Sequence, residues 1–478
     1  MATTNCWRCL ARPSPRLLVP VSITPSPSSS SSSPAAPSAA AFTTSAVQRA
    51  PPPDPSLSRH FRAGKMLILG GKKKKTVDKS KSPLPGERKA FRKRIQLSND
   101  NAFEVPGLEE MTSENLVDPN AVGKVVGIPE ALVDQLRACE AFKPSQNWGL
   151  FRSPHTLIRH ETVDLVSQIT DAIAKKETLR LAITGPRGSG KSILGLQALV
   201  AGFMNECVVI NIPEAQDLTM AGTEYSSIPH SEGKFSQPVY TVKLMQTIHK
   251  TNHHILSRHK VELDHMHLPI TVQRNMSLAA LINATKEPEF AWPVFDAFWR
   301  ELIRPGRPPI LLATDGLSHI MRVSDYRAPS FDRIHSHDLA IPGLLADALG
   351  GRTPFPNGAA VLGVTTKGNA ALNPSMDVAL ARNAARARGV PEADLPQRDP
   401  FYRFYDERVF GALEGVKVLE ARGVSKAEAR ALMEYWAASG MLRLRVDEKN
   451  VSEKWTMAGG GVLAEMERVA LFDTRVLM

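Results

Sequence analysis

Gly185-Pro186-Arg187-Gly188-Ser189-Gly190-Lys191-Ser192 fits the spacing G-x-x-x-x-G-K-[ST], which suits a polyphosphate. Successive backbone N–H groups of such a loop converge on an anion, and its glycines permit the positive φ values and close approach that a side chain would block. Lys191 is expected to reach the β- and γ-phosphates, with the Ser192 hydroxyl on Mg²⁺. Asp315 ends the apolar run Pro309 to Thr314, where a carboxylate on the metal side belongs, although a strand-end Asp can also cap the next turn.

Gly316 comes next. Many hydrolysing P-loop enzymes of the additional-strand type place a glutamate there to polarise the attacking water, and glycine has no carboxylate to do so. Hydrolysis is therefore expected to be slow or absent, and no catalytic residue is assigned. The base is not legible from motifs: D-x-x-G would need Gly where Ser318 stands, and N/T-K-x-D would need Asp where Asn369 stands. GTP, GDP and ATP all stay open on the residues alone. Thr365 or Thr366, at the end of another apolar run, is either a phosphate or water sensor or a residue chosen for β propensity. His249, His253, His254, His259, His265 and His267 form a second cluster, but without Cys or an H-E-x-x-H pattern it reads as polar helix rather than a metal site.

The elements that must hold this chemistry follow from hydrophobic patterning. Leu179 to Thr184 is a strand-type run leading into the loop, and Ile193, Leu194, Leu196, Leu199 and Val200 repeat at helical spacing behind it. Further strands are expected at Cys207 to Ile212, Pro309 to Thr314 and Ala359 to Thr366, with a helix before the first at Val163, Val166, Ile169 and Ile173. Continuous apolar strands alternating with helices predict an α/β fold, a parallel sheet covered on both faces in a P-loop nucleotide-binding core. Ser425-Lys426-Ala427-Glu428 has capping-box spacing, Gly440 should stop that helix, and Met441 to Leu444 is read as a short strand of a helical or winged-helix-like lid. DNA binding is not expected of that lid, because Arg422, Lys426 and Arg430 suit an ordinary solvated face.

The predicted organisation is a transit peptide over 1–50, a basic arm over 51–94, a helical and extended segment over 95–160, the nucleotide-binding domain over 161–400 with a helix-rich insertion at about 214–305, and the lid over 401–478. No acidic residue precedes Asp54, while Arg8, Arg12, Arg16 and Arg49 are spread through Ser-, Ala- and Pro-rich sequence, which predicts import into the mitochondrial matrix. A plain tail is the alternative. The net charge of +11 is concentrated in the arm, which includes Lys72 to Lys75 and Arg88 to Arg94; the sequence from residue 95 onward is slightly acidic. Such density cannot pack in a core, and contact with RNA phosphates, with counterion release, is its expected use beside solubility or targeting. Cys139 and Cys207 give no disulfide framework, and Cys6 and Cys9 have redox spacing without supporting pattern. No apolar run approaches a membrane span.

Leu136-Arg137-Ala138-Cys139-Glu140-Ala141-Phe142-Lys143-Pro144 leading to Phe151-Arg152-Ser153-Pro154, the phosphate loop, His337-Asp338-Leu339, and Ser425 to Ala429 through Glu434-Tyr435-Trp436 together resemble the mitochondrial small-subunit ribosomal protein family also called death-associated protein three. The resemblance covers about residues 125–478. It implies an AAA-like P-loop NTPase fold, a bound guanine nucleotide with Mg²⁺ at Gly185 to Ser192 and Asp315, and partners in small-subunit rRNA and ribosomal proteins. An active AAA-type remodeller is the alternative of a different class.

Overall fold

The computed structural model describes residues 95–229, 231–273, 275–368 and 372–472. The expected transit peptide, the basic arm and the Cys6/Cys9 pair lie outside the described residues. A five-stranded parallel sheet is the centre of the fold, formed by β1 (Thr178–Thr184), β2 (Val208–Ile212), β3 (Ile310–Asp315), β4 (Ala359–Val364) and β5 (Lys417–Glu420). Its order is β5-β1-β4-β3-β2. The first four strands are the expected apolar runs, continuous because a parallel sheet covered on both faces leaves no strand face in water.

Alternate residues feed two layers. Val208, Ile210, Ile212, Ile310 and Leu312 point into one core, while Val209, Leu311, Ala313, Ala360 and Leu362 point into the other. Helices α1 (Glu130–Ala138), α2 (His160–Lys175) and α3 (Lys191–Met204) contribute to the second layer. Leu194, Leu196, Leu199, Val200 and Phe203 of α3 are all buried. Each such side chain contributes roughly 1.5–3 kcal/mol, so this helix is fixed against the sheet and its first turn is held still.

The insertion carries α4 (Pro238–Leu256), α5 (Leu278–Ile282) and α6 (Pro288–Leu302), as its helix-rich sequence predicts. α4 breaks helical geometry at Asn252, whose side-chain amide both accepts from the Val209 N–H and donates to the Val209 carbonyl, each at 2.8 Å. At Val209 the edge strand β2 thereby finds, in a side chain, the two hydrogen bonds a sixth strand would have supplied to that residue. Helices α7 (Ala340–Leu349), α8 (Pro374–Ala387) and α9 (Glu407–Ala412) lead to β5. No helix among the described residues is long and apolar enough to cross a membrane.

Two expectations for 401–478 need correction. β5 falls in this stretch, yet it pairs in parallel with β1 and so belongs to the main sheet rather than to a separate unit. Among the described residues the remainder forms three helices, α10 (Lys426–Ala438), α11 (Glu448–Met457) and α12 (Leu463–Leu471), without the expected strand at 441–444. The reason is local: Gly440 turns at φ +76°, and the N–H groups of Met441 and Leu442 both return to the Trp436 carbonyl at 2.9 Å, which ends α10 and leaves no ladder to join. The capping box at its start forms as expected, with Ser425 Oγ accepting from the Glu428 N–H at 3.2 Å and Glu428 accepting in return at 2.7 Å.

Candidate functional site: a phosphate-type loop and its carboxylate

Val364 of β4 pairs with Ile183 on one side and with Asp315 on the other. The ends of β1 and β3 therefore lie level at one edge of the sheet, two strand spacings or roughly 10 Å apart. The loop of Gly185 to Ser192 leaves β1 at this edge and enters α3 through Gly190, which is the N-cap at φ +89°. By helix geometry the N–H groups of Lys191 and Ser192 have no acceptor inside α3, so they remain for a ligand.

Gly185 shows why the motif needs its first glycine. Its φ is +140°, and a Cβ there would stand 2.4 Å from the Ala421 carbonyl oxygen. Pro186 and Arg187 lie on the exposed crest, Gly188 follows at φ +80°, and Ser189 is buried with its hydroxyl donating to the Pro186 carbonyl at 3.0 Å. The buried Lys191 ammonium arches back over the loop, donating to the carbonyls of Gly185 at 3.0 Å and Pro186 at 2.6 Å. An ammonium has three donors, which leaves one for a third acceptor. Loss of hydration pulls the Lys191 pKa below its ordinary value; Asp315 opposes this, and Lys367 adds to it.

Ser192 Oγ donates to Asp315 Oδ2 at 2.7 Å. A serine hydroxyl beside a carboxylate is a hard-oxygen pair of the type Mg²⁺ takes alongside phosphates and water, so the donors fit that ion. Gly316 sits at φ +91°, with its N–H donating to the Val364 carbonyl at 2.9 Å, and opens a short helical turn over Leu317–Ile320. Thr365 is buried, and its hydroxyl donates to the Ile183 carbonyl at 3.0 Å; Thr365 and Thr366 both line the cavity.

Several participants carry no signal in the sequence. The Lys143 ammonium is paired with Asp315 and stands 3.4 Å from Ser192 Oγ. Arg159 is buried and braces the loop from behind, donating to the Ser189 carbonyl at 2.9 Å, to Glu161 at 3.0 Å and to the Arg422 carbonyl at 2.5 Å. From the far end of the chain, the Ala464 N–H at the start of α12 donates to the Gly188 carbonyl at 3.0 Å. These contacts come from three separate elements, so a spacing rule could not have found them.

Together these groups line a cavity of about 880 Å³ that also takes in Trp148, His155, His319, Lys367, Trp436 and Glu467. Its lining includes the basic Lys143, Arg159 and Lys191 together with the apolar Trp148, Leu432 and Trp436. A mixed lining of this kind suits a ligand that has both a charged and an apolar part. Glu467 accepts from Asn147 Nδ2 at 3.0 Å, and burial raises its pKa above the usual carboxylate value. The histidine cluster lies elsewhere. His249 and His253 stack edge to face at 5.1 Å, and His265 meets the buried Glu301 at 3.2 Å. Among the described residues, no three His, Cys, Asp or Glu side chains are grouped to hold a metal.

Comparison with known proteins adds a family to this geometry. The sequence signature described as mitochondrial ribosomal death-associated protein 3 matches residues 156–469. The chain is 49% identical over 481 residues to a Neurospora crassa protein named small ribosomal subunit protein mS29, covering 99% of this chain and 100% of that one. A Schizosaccharomyces pombe protein of the same name is 24% identical over 350 residues, covering 71% of this chain and 69% of that one.

Proposed function

Because the chain belongs to the mitochondrial ribosomal death-associated protein 3 family, we propose that it is a structural component of the mitochondrial small ribosomal subunit, working in the matrix. Its partners are small-subunit rRNA and ribosomal proteins. The basic N-terminal arm suits the RNA by charge, and Phe401 and Phe404, 93% and 82% exposed on either side of Tyr402 and Arg403, offer an apolar and cationic surface for a neighbour in the particle.

Within that role the chain is an AAA-like P-loop protein that binds a guanine nucleotide, GTP or GDP, with Mg²⁺. Gly185, Pro186, Arg187, Gly188, Ser189, Gly190, Lys191 and Ser192 hold the phosphates, and Ser192 and Asp315 hold the metal. Mg²⁺ there neutralises phosphate charge; the chain's own part is to fix the tail with loop N–H groups and the Lys191 ammonium. The observation that carries this reading is the convergence of three features on one cavity: positive-φ glycines at the end of β1, Lys191 folded over them, and Ser192 joined to Asp315. Guanine rather than adenine comes from the family resemblance. The nucleotide serves stability: at 1,000 times its Kd a ligand adds about 4 kcal/mol to folding, and no turnover is needed.

Release and chromatography of the nucleotide that copurifies with full-length protein tests this directly. A guanine nucleotide at near one per chain is expected, with Lys191→Ala losing it and melting earlier. Protein that carries and takes up no nucleotide, or a Lys191→Ala variant unchanged in both respects, overturns the reading.

A further inference from the structure

Lys143 belongs to neither the loop nor the sheet, yet its ammonium contacts the same two oxygens, Ser192 Oγ and Asp315 Oδ2, that suit the metal. Its backbone is pinned. The preceding Cys139 carbonyl accepts from Asn211 Nδ2 at 2.9 Å, Gln146 Oε1 accepts from the Lys143 N–H at 2.8 Å, and the buried rings of Phe142 and Trp148 meet edge to face at 5.3 Å. The side chain itself lines the open cavity, so it can leave while its backbone stays. A lysine ammonium is a compact point charge on a flexible stem, the side chain best able to stand where a small cation stands.

Two cations held at one carboxylate oxygen and its hydroxyl neighbour repel each other at close range, so each weakens the other's hold there. We propose that Lys143 is a resident cation of the phosphate site that competes with Mg²⁺ for the Ser192–Asp315 oxygens, and that loading with Mg²⁺ and nucleotide displaces its ammonium into the cavity. This rests on the nucleotide reading above. It adds what that reading lacks, namely a residue on the segment after α1 that changes partner with the state of the site. Lys143 also sets a cation directly beside the part-buried Asp315 carboxylate, where burying a charge without a partner is costly.

The test uses full-length protein and the fluorescent analogue mant-GDP as probe, with Mg²⁺ titrated from EDTA upward. In Lys143→Met the Mg²⁺ concentration giving half-maximal probe retention falls at least fivefold, because the competitor is gone; Lys143→Arg stays within twofold of the parent. An unchanged or raised midpoint in Lys143→Met overturns the proposal while leaving nucleotide binding intact. Absence of probe binding at every Mg²⁺ concentration removes both. A second measurement needs no variant. Acetylation of the parent by an N-hydroxysuccinimide ester, read by mass spectrometry, should leave Lys143 protected in EDTA and reactive with mant-GDP and Mg²⁺ together. Equal reactivity in the two states overturns the displacement.

Discussion

Ser192 Oγ and Asp315 Oδ2 lie 2.7 Å apart although the strands that position them, β1 and β3, are not neighbours. β4 separates them and sets both ends level, so a hydroxyl on α3 and a carboxylate on β3 meet across an intervening strand. The pair depends on the sheet order as much as on the two residues.

Removing its charge should cost the metal. Asp315→Asn keeps the shape but not the carboxylate, and Mg²⁺-assisted retention of mant-GDP is expected to fall by tenfold or more, since even the outer partners of metal ligands cost roughly 10–100-fold when lost. Equilibrium titration with Mg²⁺ and with EDTA checks this; equal Mg²⁺ enhancement in parent and variant contradicts the assigned role.

Gly185→Ala probes the loop backbone. With φ at +140° and the Ala421 carbonyl 2.4 Å from the added carbon, the substitution is expected to destabilise the fold by about 1–3 kcal/mol from backbone strain alone. Urea unfolding reads it, and a midpoint equal to the parent's would show that the loop rearranges freely.

Acid should weaken the fold through the part-buried His155 and the buried His337. His155 lies 4.5 Å from the Phe151 ring and 4.0 Å from the Tyr435 ring, and burial lowers its pKa to about 4; burial first, and then the charges of His335 at 4.5 Å, Arg352 and Arg408, lower His337 to about 3. Unfolded, each takes its proton near the ordinary histidine value of 6.5. Between that pH and the folded value the unfolded chain binds more protons, so this stability is complete above pH 6.5 and drains as pH falls toward about 4. At roughly 1.4 kcal/mol per unit, His155 accounts for about 3 kcal/mol. His155→Phe should flatten the decline of melting temperature over this window; an equally steep decline would remove His155 as a cause.

Restoring a carboxylate at position 316 should not create an enzyme. Gly316→Glu places a side chain on a backbone at φ +91°, at a cost of about 1–3 kcal/mol, with the added Cβ 3.4 Å from His319. Phosphate release over many minutes is expected to be negligible for both proteins, and sustained multiple turnover by the parent would overturn the structural role.

The exposed aromatics give a prediction about assembly. Phe401→Ser with Phe404→Ser should leave the melting temperature within a degree or two, as exposed substitutions rarely exceed about 0.5 kcal/mol, while reducing cosedimentation with the small subunit. Undiminished cosedimentation would free this surface from a role in the particle.

How much of this was legible in the sequence follows from where each residue sits. β1 to β4 announced themselves because burial on both faces makes a strand an unbroken apolar run, and the helix starting at Ser425 did so because its cap is built from neighbours. β5, Lys417–Glu420, was missed: it is an edge strand, half exposed, with charges at both ends and no run to notice. The loop and Asp315 were read as a candidate site from spacing and strand position, and the fold brings them together. Lys143, Arg159 and Ala464 could not be read this way, since each reaches the loop only after distant segments have packed, and their own surroundings in sequence hold no pattern of that use. The strand expected at 441–444 failed because Trp436 claims its N–H groups first.

The bond from the Ala464 amide to the Gly188 carbonyl has a consequence for biogenesis. Synthesis makes the loop long before α12, so until the last segment exists the Gly188 carbonyl lacks this donor, and a chain clipped ahead of Leu463 never gains it.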